Sequence, residues 1–157
     1  FGEFDSVEEL NRAAAGQKEE GDEEALIALA VENGLTKEDA LDYMDGVVDE
    51  LASSLMAAQG KIKIESAELK PKEIMEDWVQ YILIRITEDP EMQKAVRRKG
   101  KSLEGCIAAL LTWSFKHQIP VDQKIMTAAG VKAGRCTLGI PGMATAKKII
   151  TNYYMRK

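Results

Sequence analysis

Apolar residues recur every three or four positions along most of this 157-residue chain, which is the spacing of a helix with one buried side. Helix-start signals precede these runs: Ser6 and Thr36 each stand three residues before an acidic residue, as in a capping box. One short stretch, residues 61–65, alternates like a strand, but an isolated strand has nothing to pair with. We therefore predict an all-α fold, a helical bundle of about seven or eight short helices in two lobes.

The same pattern predicts where the helices lie. A third helix should run through residues 36–55 and place Val47 and Val48 on its apolar side. Residues 61–71 read as an extended connector, with Pro71 placed in the first turn of the helix that follows. That next helix is apolar on more than one side, so we expect it to be the central, most buried one.

The charges are sorted by position along the chain. Residues 1–60 hold 16 Asp/Glu and 3 Lys/Arg, whereas residues 61–157 hold 10 Asp/Glu and 18 Lys/Arg. We predict an acidic lobe at residues 1–60, a connector at residues 61–71 and a basic lobe at residues 72–157. The asymmetry favours a charged partner. The alternative is that the two lobes neutralise each other within the fold.

Composition narrows the class of protein. No run reaches the roughly 18 to 20 apolar residues that a bilayer requires, and the first ten residues lack the basic and apolar segments of a signal peptide. We therefore expect a cytoplasmic protein with no membrane partner. Cys106 and Cys136 have no C-x-x-C spacing, and His117 is the only histidine, so we expect reduced thiols, no metal and no other cofactor.

Catalysis has little support in the sequence. His117 has no Ser or Asp partner at a recognisable spacing, and Cys106 lies on an apolar helix face, where a thiol is inert. The glycine-rich loop at residues 134–142 lacks a phosphate-binding signature, so we expect its glycines to supply positive φ angles. Trp78 and Trp113 have helical spacing, which favours core packing over base stacking. We expect a non-enzymatic protein.

A basic cluster stands at a helix end beside a glycine. Cations are favoured at a helix C-terminus, but four in five residues exceed what that role requires. We predict a surface that binds nucleic acid or an acidic partner, extended by later cations if the last helices pack beside it. The predicted residues are Arg97, Arg98, Lys99, Lys101, Lys132, Arg135, Lys147 and Lys148. A solvated helix end is the alternative.

Two stretches of the second half carry a family resemblance. They are Glu88-Asp89-Pro90-Glu91 and Lys101-Ser102-Leu103-Glu104-Gly105-Cys106-Ile107, followed by Cys136 and Tyr153-Tyr154. Over about residues 89–155 the chain resembles the PcfK-like family, small proteins of conjugative plasmids, transposons and phages in Firmicutes. The stretches M-x-D-W-V and L-G-I-P-G are also similar to an uncharacterised group from gut clostridial mobile elements.

The resemblance implies two functions and no catalytic residues. PcfK-like proteins are associated with relaxosomes, the DNA-processing complexes of conjugation. A PcfK-like domain also occurs in a type II anti-CRISPR family that inhibits Cas9. Our first hypothesis is an interaction protein of a mobile element that inhibits a host defence nuclease, either Cas9 or its complex with guide RNA. The alternative is an accessory protein of a relaxosome that binds DNA or RNA.

The first hypothesis requires an acidic surface, because Cas9 holds nucleic acid in a positively charged channel. The acidic helices supply it, and the basic lobe would meanwhile touch the guide or target strand. The residues that we predict to meet a basic partner are Glu19, Glu20, Glu23, Glu24, Asp39, Asp42, Asp45 and Asp49.

Overall fold

The computed structural model describes residues 4–156, so the two lobe assignments as they apply to residues 1–3 and Lys157 lie outside the described residues. The described part is all-α, as predicted, with nine helices and one two-stranded ribbon. The helices are α1 (Val7–Glu19), α2 (Glu23–Glu32), α3 (Lys37–Met44), α4 (Ser54–Leu69), α5 (Ile74–Glu88), α6 (Pro90–Arg97), α7 (Leu103–Lys116), α8 (Gln123–Ala128) and α9 (Met143–Met155). The antiparallel strands are β1 (Ile119–Pro120) and β2 (Thr137–Leu138).

The helices of the first lobe begin at the caps that the sequence indicates. The Ser6 hydroxyl accepts a hydrogen bond from the Glu9 amide at 3.2 Å, and the Glu9 carboxylate accepts one from the amide of Asp5. Thr36 and Asp39 form the complete reciprocal capping box. Each cap satisfies amides that have no partner within their own helix, which fixes where the helix starts.

The buried apolar residues form two clusters that meet within α4. The first cluster is built by α1 to α3 and the start of α4; its members are Leu10, Ala14, Leu26, Ala30, Leu35, Ala40, Tyr43, Leu51, Ala52 and Ala57. The second gathers the later helices around Ile62, Ile82, Val96, Leu110 and Ile150. Because Ala57 belongs to one cluster and Ala58 to the other, α4 is shared by both.

The long third helix that we predicted over residues 36–55 is wrong. Helix α3 ends at Met44, and Gly46 adopts a φ of 77°, a left-handed conformation that glycine reaches without strain. The Val47 amide then donates to the Asp42 carbonyl at 2.8 Å, closing a Schellman motif. As a result Val47 and Val48 are exposed, where helical spacing had placed them on the apolar side.

The extended connector that we predicted over residues 61–71 is also wrong. Helix α4 continues to Leu69, and its Lys61 and Glu65 side chains are buried. Because Lys61 and Glu65 are charged, residues 61–65 alternate between charged and apolar residues as a strand does, although they belong to a helix. The break between helices is confined to residues 70–73, where Lys70 and Glu73 have positive φ angles, and Pro71 precedes α5 instead of lying in its first turn.

The central helix is α4, not α5 as we predicted. Helix α4 packs against α5, α6 and α7 and contributes to both clusters. Helix α5 buries Trp78, as predicted, but leaves Met75 and Ile84 exposed. The apolar pattern of α5 therefore predicted more burial than the structure shows. The burial of α4 was not predicted because two of its buried residues, Lys61 and Glu65, are charged.

Residues 117–142, here called the arm, link α7 to α9 through the ribbon and α8. Of these residues only Met126 and Pro141 are buried. The positive φ angles predicted for the glycines of residues 134–142 are wrong, because the arm's one positive-φ glycine is Gly130. Gly139 instead lies so close to Gln118 and the Ser114 carbonyl that a Cβ would collide with both.

A glycine pair at the junction of the two clusters generates a stability prediction. A Cβ on Gly60 of α4 would overlap the Asn33 carbonyl, since the α2–α3 turn and α4 approach backbone to backbone. We expect Gly60→Ala to lower the free energy of unfolding by about 1–3 kcal/mol despite the better helix propensity of alanine. Gly16→Ala is the control, because nothing lies within 4 Å of its Cβ position.

Urea denaturation of both variants checks this expectation. Gly16→Ala should be neutral or stabilising by up to about 1 kcal/mol. A Gly60→Ala protein that is as stable as the wild type would contradict the close backbone approach.

Candidate functional site

The acidic residues of the first three helices are brought together at one end of the lobe. Glu19 and Glu20 end α1, Glu23 and Glu24 form the first turn of α2, and the end of α3 joins them because the Lys18 ammonium lies 4.7 Å from the centroid of the Tyr43 ring. The predicted acidic residues that are exposed, here called the acidic surface, are Glu19, Glu20, Glu23, Glu24, Asp42, Asp45 and Asp49. Asp39 is half-buried and is used in the capping box of α3.

Within residues 4–156, no ion pair joins the acidic surface to the basic half of the chain. The two ion pairs found among the described residues, Arg85–Asp89 at 2.9 Å and Lys94–Glu91 at 3.6 Å, both lie in the second half. The first lobe meets the basic segment elsewhere, where the Lys99 amide donates to the Asp5 carboxylate at 2.8 Å. The acidic charge therefore remains available to a partner.

The structure places the predicted basic cluster differently from the sequence-based expectation. Arg97 is only 2% exposed and donates from Nη2 to the Asn33 side-chain carbonyl at 3.3 Å. The prediction that Arg97 contacts phosphate is therefore wrong. Lys101 donates to the Tyr153 carbonyl at 2.7 Å and lies over the Tyr153 ring. Arg98 is half-buried, and Lys99 alone of the four has an exposed side chain. Arg97 and Lys101 therefore have partners within the fold, on the α2–α3 turn and on α9.

The connection between α6 and α7 is bound to α4 by the side chain of Lys61. The Lys61 ammonium donates to the carbonyls of Val96, Arg98 and Lys101 at 2.8, 2.6 and 2.5 Å. One turn later on α4, the Glu65 carboxylate accepts from the Leu103 amide at 2.8 Å, at the start of α7. Helix α4 thus binds both the end of α6 and the beginning of α7. Backbone carbonyls satisfy the Lys61 ammonium, and a backbone amide satisfies one of the two Glu65 carboxylate oxygens.

Burial shifts the pKa values of both Lys61 and Glu65. It lowers the pKa of Lys61 to about 8, and the neighbouring Glu65 carboxylate opposes that shift. Burial raises the pKa of Glu65, against the opposing effects of the Leu103 amide and Lys61. Near neutral pH Lys61 is still mostly protonated and can donate all three hydrogen bonds.

We expect Lys61→Met to destabilise the protein by about 3 kcal/mol, because three carbonyls, one buried and two partly buried, lose their donor while the apolar stem is kept. Lys63→Met is the matched control: it removes the same charge from the same helix at an exposed position, and we expect a change within about 0.5 kcal/mol. Urea denaturation at neutral pH measures both. Equal free energies of unfolding for the two variants would contradict the role assigned to Lys61.

A second charged surface lies between α5 and α9. Here the Lys147 ammonium lies 5.5 Å from the centroid of the Tyr81 ring. A shallow groove at this place is lined by Tyr81, Arg85, Lys147, Lys148, Thr151 and Asn152. A neighbouring groove, lined by Lys101, Ala109, Ile149, Asn152, Tyr153 and Arg156, shares Asn152 with it. We call the two together the basic groove.

The basic groove contains five cations and no carboxylate among its lining residues, although Arg85 is paired with the nearby Asp89. It includes three of the predicted residues, Lys101, Lys147 and Lys148. The sequence analysis missed Arg85 and Arg156, and the spacing of Tyr81 and Arg85, one helical turn apart on α5, was the available signal. Lys132 and Arg135 are exposed on the arm and do not line the groove.

The remaining candidate residues have structural surroundings. The Nδ1–H of His117 donates to the Trp113 carbonyl, 2.8 Å away, and the His117 ring stacks on Trp113 with centroids 4.2 Å apart. Trp113 is therefore half-buried against a histidine and not in the core, contrary to the prediction.

Burial raises the pKa of the Cys106 thiol to about 12. Among residues 4–156, no three His, Cys, Asp or Glu side chains are grouped as a metal site would require.

None of the helices formed by the described residues is long and apolar enough to cross a membrane. Searches of protein-family models, of curated proteins and of solved structures found no match to this chain. The PcfK-like resemblance therefore stays a prediction.

Proposed function

We propose that this protein is a non-enzymatic inhibitor that docks its acidic surface into the positively charged nucleic-acid channel of a nuclease. The observation that carries the proposal is the group of seven exposed carboxylates on the first lobe, which form no ion pair with those cations of the basic half that the structure describes. Such a surface attracts a basic channel at long range and competes with the phosphates that normally occupy it. A binding surface of this kind needs no catalytic group.

The nuclease that we propose is of the Cas9 type, free or loaded with its guide RNA. Its channel recognises the backbone of a heteroduplex through positive charge, so a compact array of carboxylates is a suitable competitor. The resemblance of the second half to PcfK-like proteins, which include an anti-CRISPR domain, supports the choice of Cas9 over other nucleases. A protein of this kind would be encoded by a mobile element and would act in the cytoplasm of its host.

A charge-neutralised variant tests the acidic surface. We expect Glu19→Gln, Glu20→Gln, Glu23→Gln and Glu24→Gln together to weaken binding to guide-loaded Cas9 about 30-fold, taking on the order of 0.5 kcal/mol for each charge at the rim. Calorimetry measures the affinity, and cleavage of a plasmid target measures inhibition.

The matched control removes four negative charges elsewhere, by Glu68→Gln, Glu73→Gln, Glu76→Gln and Asp77→Asn at exposed positions of the second half. The control should bind within about threefold of the wild type, because these carboxylates lie outside the contact. Equal losses in both variants would reject the acidic surface as the contact. Absence of any complex between the wild-type protein and Cas9 at micromolar concentration would reject Cas9 as the partner.

A second candidate function is supported by the basic groove. We propose as the alternative that the protein is an accessory factor of a relaxosome that holds DNA or RNA in this groove. Three lysines and two arginines beside the rings of Tyr81 and Tyr153 suit phosphates with neighbouring bases.

For this alternative, we expect Lys147→Glu with Lys148→Glu to weaken binding of a short DNA duplex at least about tenfold and to reduce the slope of log affinity against log salt by about 2. Lys37→Glu with Lys63→Glu makes the same charge change at exposed positions outside the groove and serves as the control. Fluorescence anisotropy over a salt series measures both. An unchanged slope in the groove variant would exclude the groove as the binding site.

A further inference from the structure

The arm and the adjoining end of α7 expose an unusual amount of apolar surface. Phe115 is 74% exposed, and Ile119 and Leu138 are each more than 60% exposed. These two are directly opposite each other in the ribbon, so they share one face, and Ile140 follows two residues after Leu138. We call Leu111, Phe115, Ile119, Leu138 and Ile140 the apolar patch. Several large exposed apolar residues on one short stretch of fold are typical of an interaction site.

The arm is tied to α7 by specific hydrogen bonds, so the exposure of the patch is built into the fold. The Gln118 side-chain amide donates to the Ser114 carbonyl, and its carbonyl accepts from the Thr137 hydroxyl, both at 2.8 Å. The Val121 amide donates to the Cys136 carbonyl at 2.9 Å. These bonds join both strands of the ribbon to the end of the helix.

The arm that carries Ile119, Leu138 and Ile140 of the apolar patch is basic. Residues 116–142 contain four cations and one carboxylate, and the Asp122 carboxylate is occupied as the cap of α8. Lys116, Lys124, Lys132 and Arg135 are all exposed. A partner that fits the arm therefore needs apolar side chains at its centre and carboxylates at its edge.

This chain carries such a segment itself. Residues 45–50, here called the acidic loop, expose Val47 and Val48 between Asp45 on one side and Asp49 and Glu50 on the other. The Schellman motif at the end of α3 holds this loop in place. The loop belongs to the first cluster, whereas the arm extends from α7 and α9 of the second cluster.

We propose that the arm binds the acidic loop of a second copy of this chain. Val47 and Val48 of one protomer pack on the apolar patch of its partner, and the carboxylates of the loop meet the lysines and arginine of the arm. The same contact made in both directions closes a two-fold dimer and leaves neither an acidic loop nor an apolar patch without a partner. The contact covers Asp45 and Asp49 of the acidic surface but not Glu19, Glu20, Glu23 and Glu24, so the glutamate variant that tests inhibition does not alter the dimer contact.

A charge-swap experiment tests this dimer. The loop variant carries Asp45→Lys, Asp49→Lys and Glu50→Lys, and the arm variant carries Lys124→Glu, Lys132→Glu and Arg135→Glu. In each variant alone, loop and arm have the same sign of charge, so we expect the dimer to weaken at least about 100-fold. Mixing the two variants restores opposite charges at both contacts, and we expect a heterodimer with an affinity close to that of the wild type.

Sedimentation velocity from about 1 µM to about 100 µM measures the mass of each sample against the 17.3 kDa of one chain. Circular dichroism establishes that each variant is folded, and Val47→Asp with Val48→Asp provides a second disruption that leaves the cations of the arm untouched. A wild-type protein that is monomeric at the highest concentration would overturn the proposal. Dimers that survive the loop variant, or a mixture that stays monomeric, would also overturn it.

Discussion

The hydrogen bonds of the buried Lys61 ammonium organise the second half of this molecule. They hold three carbonyls of the α6–α7 connection against α4, and Glu65 holds the first amide of α7 one turn further along. A charge so deeply buried is tolerated because backbone groups satisfy it. The positions of α6, α7 and, through Lys101 and Tyr153, the end of α9 all follow from this junction.

The same helix keeps the two kinds of charge apart. The acidic helices pack on one part of α4 and the basic helices on the other, and the close approach of Gly34 and Gly60 brings the lobes into contact through backbone. Polar contacts between the lobes, such as Lys99 with Asp5 and Arg97 with Asn33, use no carboxylate of the acidic surface. The acidic surface and the basic groove are consequently both open to partners of opposite charge.

Three surfaces of the protein thus have distinct chemical character. The acidic surface suits a positive channel, the basic groove suits phosphates, and the arm combines apolar side chains with cations. In our proposals the arm meets the acidic loop of a second copy, which would leave the glutamates of α1 and α2 for the nuclease. A dimer would present two sets of these glutamates, while Asp45 and Asp49 of each acidic surface would be used in the dimer contact.

The amino-acid sequence by itself determined the helical class, the helix starts at Ser6 and Thr36 and the separation of charge, since capping and charge are local properties. It also indicated Lys147 and Lys148 as surface cations. Only the tertiary structure decided that Lys61 and Arg97 are buried and that Val47 and Phe115 are exposed. The reason is physical: a lysine becomes stable in a core only where carbonyls distant in sequence converge on it, and helical periodicity carries no information about such partners.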